Sequence, residues 1–102
     1  MSYRILYAPS FQDDVDQYLA YLISEKVAKA TIEQWFTKLY DQVDGLDQWP
    51  KRFPVDPTQT EPTGRETRKM NVGDYLVFYQ IDEGAHQVNI VAFMHGAQRK
   101  EA

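Results

Sequence analysis

The chain has 102 residues, 43% of them hydrophobic and 25% charged, with a formal net charge of −4 and no cysteine. That length fits one domain spanning residues 1–102, burying roughly 60–70% of its unfolded surface in a single core. The missing cysteines exclude disulfides, zinc–thiolate sites and thiol nucleophiles, and the acidic balance argues against a strongly basic nucleic-acid binder.

"YRILY", Tyr3 to Tyr7, is aromatic and branched and reads as a first strand that stops at Pro9. Ser10 reads as a helix N-cap with Asp13 as its capping-box partner. Asp13, Asp14 and Asp16 then sit in the first turns, where the helix dipole favours negative charge. Phe11, Val15, Tyr18, Leu19, Leu22 and Ile23 recur along one helical face. After the polar break "SEK", Ser24 to Lys26, a second face runs through Ala28, Ile32, Trp35, Phe36, Leu39, Val43 and Leu46. It ends near Trp49 and Pro50, since proline disfavours helix in the residue before it. Two such helices with so short a break form an antiparallel hairpin. Tyr18, Tyr21, Trp35 and Phe36 fit its seam or the core better than a ligand-stacking role.

"PKRFPVDPTQTEPTG", Pro50 to Gly64, holds prolines 50, 54, 57 and 62 and reads as a constrained loop, neither helix nor inner strand. "RETRKMNV", Arg65 to Val72, follows as a strand with Met70 and Val72 on one face. Gly73-Asp74 supplies a tight turn. "YLVFYQI", Tyr75 to Ile81, is apolar at nearly every position, as in a strand covered on both faces. "DEGAH" is the next turn, and "QVNIVAFMH", Gln87 to His95, the last strand. The fold class is α+β in the order βααβββ: an N-terminal strand and a helical hairpin packed on a small twisted antiparallel sheet. The first strand has two places open to it, the sheet edge or a position beside a later strand.

Residues 1–64 hold six Lys/Arg against ten Asp/Glu, and residues 65–102 hold five of each. The cations that stand out are grouped as "GRETRK", Gly64 to Lys69, and "QRK", Gln98 to Lys100. Such groups either solvate a face or meet a partner. His86 and His95 lack a supporting cluster of ligands, so no metal is expected. No phosphate-cradling glycine loop or Gly-x-Ser-x-Gly elbow is present, and Ser10 and Ser24 read as cap and break residues. No cofactor is expected. "MSYRILYAPS" has no long apolar run and no segment nears the ~20 apolar residues of a membrane span, so a cytoplasmic protein without signal peptide or membrane contact is expected.

Taken in order, "L..W/P", the proline-rich loop, "R..RKMNVGDYLVFYQID" and "VNIVAFMHGAQR" resemble the RelE/ParE superfamily of small bacterial toxins of type II toxin–antitoxin modules, plasmid stabilisation proteins among them. The matching features are the strand–helix–helix start, Pro50 and Pro54, the Arg68-to-Tyr79 hairpin, and His95-Gly96 with basic residues after it. The resemblance implies a toxin neutralised by a cognate antitoxin from the same operon, meeting operator DNA only through that antitoxin. It also implies one of two targets. RelE-like members cut mRNA in the ribosomal A site; ParE-like members inhibit DNA gyrase by binding.

The residues lean toward the ParE-like branch. RelE-like nucleases place arginine directly after the hairpin tyrosine, where this chain has Tyr75-Leu76. Leucine cannot donate to a phosphate, and losing one such donor typically costs about 100- to 1,000-fold in rate. The tail "HGAQRKEA" has His95 but no tyrosine after it. If the chain is a nuclease, it is a metal-independent endoribonuclease with His95 and Arg99 as its acid–base pair and Arg68 and Lys69 on phosphate. The expectation is a binding inhibitor in which Leu76 makes the strand packed core. Arg65, Arg68, Lys69, Arg99 and Lys100 are then expected to face the target or the antitoxin. An amphipathic antitoxin segment is expected on the sheet edge or on the outer side of the helical hairpin.

Overall fold

The structure, a computed structural model, describes residues 2–95, with the side chains of 61–63 excepted. The elements are β1 (Arg4–Tyr7), α1 (Pro9–Ser24), α2 (Lys29–Asp44), α3 (Pro57–Thr63), β2 (Arg68–Val72), β3 (Tyr75–Asp82) and β4 (Gln87–His95). Single 3-10 turns occupy Gly45–Asp47 and Pro50–Arg52.

The four strands form one sheet in the order β1-β4-β3-β2. β2, β3 and β4 are an antiparallel meander, while β1 runs parallel to β4, from Arg4 opposite Gln87 to Tyr7 opposite Ile90. The sheet is therefore mixed, and the first strand takes an edge. The register of β3 and β4 slips by one residue between Phe78 and Tyr79, which face Ala92 and Ile90. This bulge leaves Val91 without an opposite number and re-aims the end of β4.

The two helices are antiparallel, since Phe11 meets Tyr40 near one end and Tyr18 meets Trp35 near the other. They cover one face of the sheet. Phe11 and Val15 from α1 and Leu39 and Val43 from α2 pack with Met70, Val72, Val77, Tyr79, Val88, Ile90 and Phe93. Leu76 and Phe78 point the other way by strand alternation, yet they too are buried, at 2% and 3% exposure. The expectation of a β3 covered on both faces holds.

Two local expectations fail. Ser10 is not an N-cap and forms no capping box with Asp13. The helix begins two residues earlier, with Ala8 as the cap position and Pro9 inside the first turn. Proline suits that place, because its fixed φ is helical and its missing N–H has no intrahelical partner to lose. The second failure is the proline-rich loop, which contains α3. The Asp56 side chain accepts from Thr58 N at 2.9 Å, Pro57 starts the helix, and Gly64 ends it in the left-handed region at φ 72°. Just before α3, Val55 bridges to Arg68, and Pro54 O accepts from Lys69 N at 3.0 Å, so the loop covers part of the β2 edge.

Candidate functional site

Strand alternation sorts the cations at the start of β2. Arg68 shares a face with Met70 and Val72 and so points under the helices, while Lys69 faces away. The Arg68 guanidinium is held by backbone: its Nη1 donates to Phe53 O at 2.6 Å and to Lys51 O at 3.2 Å. Glu66 lies 4.0 Å from its other nitrogen. Opposite Arg68, fully buried Tyr79 donates its hydroxyl to Pro50 O at 2.5 Å. Burial is the main influence on that hydroxyl and pushes its pKa up to about 12, against the lowering effect of Arg68 and Arg52. Lys69 Nζ lies 4.0 Å from Asp56. Arg65 is exposed just after α3, and its carbonyl accepts from the buried Thr67 hydroxyl at 3.2 Å. Arg99 and Lys100 lie outside the described residues.

His95 lies at the other end of the sheet. It stands opposite Tyr75 in the register, whereas Arg68 stands opposite Tyr79. Four residues of strand put the two ends roughly 13 Å apart. The His95 ring stacks on Tyr18 at 5.3 Å and 18°, and tilts against Tyr75 at 5.2 Å. Trp35 and Phe93 complete the cluster. The Tyr18 and Tyr75 hydroxyls are hydrogen-bonded at 3.1 Å. Burial, then that bond, raises the Tyr18 pKa above the ordinary tyrosine value. Trp35 Nε1 is buried there without a hydrogen-bond partner. Tyr18 and Trp35 are seam residues, as their spacing suggests.

The fold thus gathers Arg65, Arg68 and Lys69 at one end of β3 and His95 at the other. His86 and His95 are separated by the length of β4, roughly 30 Å, which is too far for one metal ion. Among the described residues no group of three histidine or acidic side chains is placed to hold a metal, and no helix is long and apolar enough to cross a membrane.

Sequence reasoning missed three polar ties. Ser10 Oγ donates to Val91 O at 2.5 Å at the β4 bulge, and Asp14 Oδ2 accepts from Phe93 N at 3.0 Å two residues further on. The Tyr3 hydroxyl donates to Glu83 Oε1 at 2.8 Å, and Lys51 Nζ pairs with the other oxygen of Glu83 at 3.0 Å. The third tie is the pair Arg68 and Tyr79 beneath the 50–53 segment. A signal existed for two of these: residues 10, 14 and 18 share one helical face, and Arg68 shares parity with Met70 and Val72.

A family model described as the ParE toxin of a type II toxin–antitoxin system, parDE, matches residues 5–100. The chain belongs to the ParE toxin family. Its α+β architecture is also that of RelE-like toxins. A chain in the crystal structure of the toxin–antitoxin complex RelBE2 from Mycobacterium tuberculosis is similar to it, with a TM-score of 0.58 and 19% identity, over 93% of this chain and 99% of that one. At that identity the likeness concerns the fold. No curated protein matches the sequence. The RelE/ParE assignment accounts for the helical hairpin laid on one face of the meander and for β1 closing the sheet edge.

Proposed function

We propose that this ParE-family toxin is a binding inhibitor of DNA gyrase, acts in the cytoplasm, and is neutralised by a cognate antitoxin. The observation that carries the reading is where the cations and Leu76 go. Arg68 holds the carbonyls of Lys51 and Phe53, Lys69 lies by Asp56, and Leu76 is buried. A ribonuclease without metal needs a phosphate-binding cation beside its acid–base group. Among the described residues, His95 is set among Tyr18 and Tyr75, a strand's half-length from Arg68. Arg65, Lys69, Arg99 and Lys100 serve in this reading as polar contacts to target or antitoxin. The test is a supercoiling assay with purified toxin and gyrase. Inhibition at near-stoichiometric toxin, relieved by antitoxin, is expected. Unchanged supercoiling at large excess would rule the reading out.

One observation favours a second reading, a RelE-like ribosome-dependent mRNA endonuclease. The hydroxyls of Tyr18 and Tyr75 and the His95 ring form a contiguous set of proton-bearing groups. Mapping RNA 5′ ends after induction without antitoxin decides it. New ends inside translated codons support the nuclease, and His95→Ala should then abolish them.

A further inference from the structure

We infer that Trp49 is a preformed anchor by which the toxin grips its target protein, inserting into an apolar pocket bordered by a carboxylate. The inference rests on the toxin reading but not on gyrase being the target.

Trp49 is 63% exposed, the most of any large hydrophobic side chain among the described residues. An exposed indole is unfavourable in water, and tryptophan is the residue most enriched where binding energy concentrates. Among the described residues no ring stacks on it, whereas Trp35 lies within a cluster.

The backbone that carries Trp49 is braced from below. Trp49 sits between two 3-10 turns at φ −154° and ψ 72°, directly before buried Pro50. Pro50 O is fixed by the Tyr79 hydroxyl, and Lys51 O and Phe53 O by Arg68. Lys51 is tied through Glu83 to Tyr3. Two polar side chains directed at one short loop fix the backbone directly after the point where the indole leaves the surface. A rigid anchor loses little freedom on docking, which suits a folded partner with a pocket already formed. An antitoxin segment that orders on the toxin needs no such rigidity.

Charge defines the pocket's rim. Lys51 is paired with Glu83. Arg52 is exposed, lies over the Phe53 ring at 5.2 Å, and meets no carboxylate among the described residues. It is the cation beside Trp49 that remains for an acidic group on the partner.

Position separates this anchor from the molecule's other exposed apolar side chains. Asp47 O accepts from Tyr3 N, and Lys51 reaches Glu83, so the 47–51 segment lies by the β3–β4 turn. α1 follows β4 toward His95 through Ser10, Asp14 and Tyr18. Tyr21 and Ile23, 55% and 61% exposed, therefore lie near the far end of β4, roughly 30 Å away. Two poles allow two partners, and the rigid one is assigned to the target.

The experiment compares the full-length toxin with Trp49→Ala, Trp49→Phe and Arg52→Glu. Growth arrest is read on induction without antitoxin, and antitoxin affinity and thermal midpoint on purified protein. Trp49→Ala should need at least about tenfold more toxin for the same arrest. Its antitoxin affinity should stay within about twofold, because the other pole is intact. Trp49→Phe should keep part of the activity, and Arg52→Glu should weaken it. Full arrest by Trp49→Ala overturns the proposal. So does a loss of antitoxin affinity that matches the loss of arrest. A Trp35→Phe variant leaves Trp49 as the sole indole; quenching of its fluorescence by poly(U) would make it a base-stacking platform and also overturn the proposal. Gyrase supercoiling is assayed separately on the unaltered toxin, so failure of that target and failure of the anchor are told apart.

Discussion

At the scale of single residues, Arg68 and Tyr79 decide how the toxin's surface is built. Both sit on the helix-covered face of the sheet, and both aim polar atoms at the 50–53 carbonyls. Tyr79→Phe leaves a buried carbonyl at Pro50 without its donor, so a loss of about 1–3 kcal/mol in urea unfolding is expected. Its pKa raised to about 12 adds a pH dependence. The folded state holds the phenolic proton more tightly than the unfolded chain, whose tyrosines titrate near 10. This contribution is fully present below about pH 10 and is lost as pH rises toward 12, by at most about 1.4 kcal/mol per pH unit. Tyr7 and Tyr18, raised chiefly by burial, act in the same direction. Unfolding measured at pH 9, 10 and 11 should show stability falling, and less steeply in Tyr79→Phe. A stability that rises over this range would contradict the burial of these hydroxyls. The parity of "RKMNV" already places Arg68 with Met70 and Val72. Its carbonyl partners, fifteen and seventeen positions earlier in the chain, were invisible until the loop had a conformation.

At the scale of elements, α1 is fastened to β4 by side chains as well as by apolar packing. Ser10 and Asp14, one helical turn apart, take backbone groups of Val91 and Phe93, just past the point where β4's pairing with β1 ends at Ile90. Asp14→Ala should cost about 1–3 kcal/mol, because Phe93 N–H loses a charged acceptor. Asp14→Asn keeps an acceptor oxygen and should cost less. Equal losses for the two would assign the contribution to the carboxylate charge, and no loss in either would show that the contact contributes nothing. α3 carries a second prediction: Asp56→Ala removes the N-cap bond to Thr58 and should lower stability by about 1 kcal/mol. The strands and long helices were legible because their apolar periods are uninterrupted. α3 was not, because four prolines argue for loop when counted together. One by one they read differently: Asp56 caps, Pro57 fits the first turn, and Gly64 supplies the left-handed end. Ser10 failed as a cap because Pro9 fits the first turn, which puts the helix start two residues earlier. His95 was legible as a residue but not as a place: only the register with Tyr75 shows that it is set among rings, away from Arg68.

At the scale of the whole molecule, the chain's two ends are built into one another. β1 is parallel to β4, and bonds such as Ser10 to Val91 span 81 positions. A sequence reading had no means of choosing the place of β1, because "YRILY" suits an edge and an inner position alike. The choice follows from connection geometry. Tyr7 leads within two residues into a helix that lies along β4, so the strand feeding that helix falls beside β4. Such long-range pairing is slow to form, since loop closure opposes it before contacts reward it. The β2–β3–β4 meander is local and can form first, with β1 docking onto β4 afterwards. Folding is then expected in milliseconds to seconds. Ile5→Ala, which trims a partly buried contact opposite Val88, tests the order of events. If β1 docks late, the variant unfolds faster while its folding rate stays within about twofold of the unaltered toxin. Stopped-flow folding and unfolding limbs in urea give both rates. A folding limb slowed in proportion to the lost stability would place the β1–β4 pairing in the nucleus instead, with the meander forming around it.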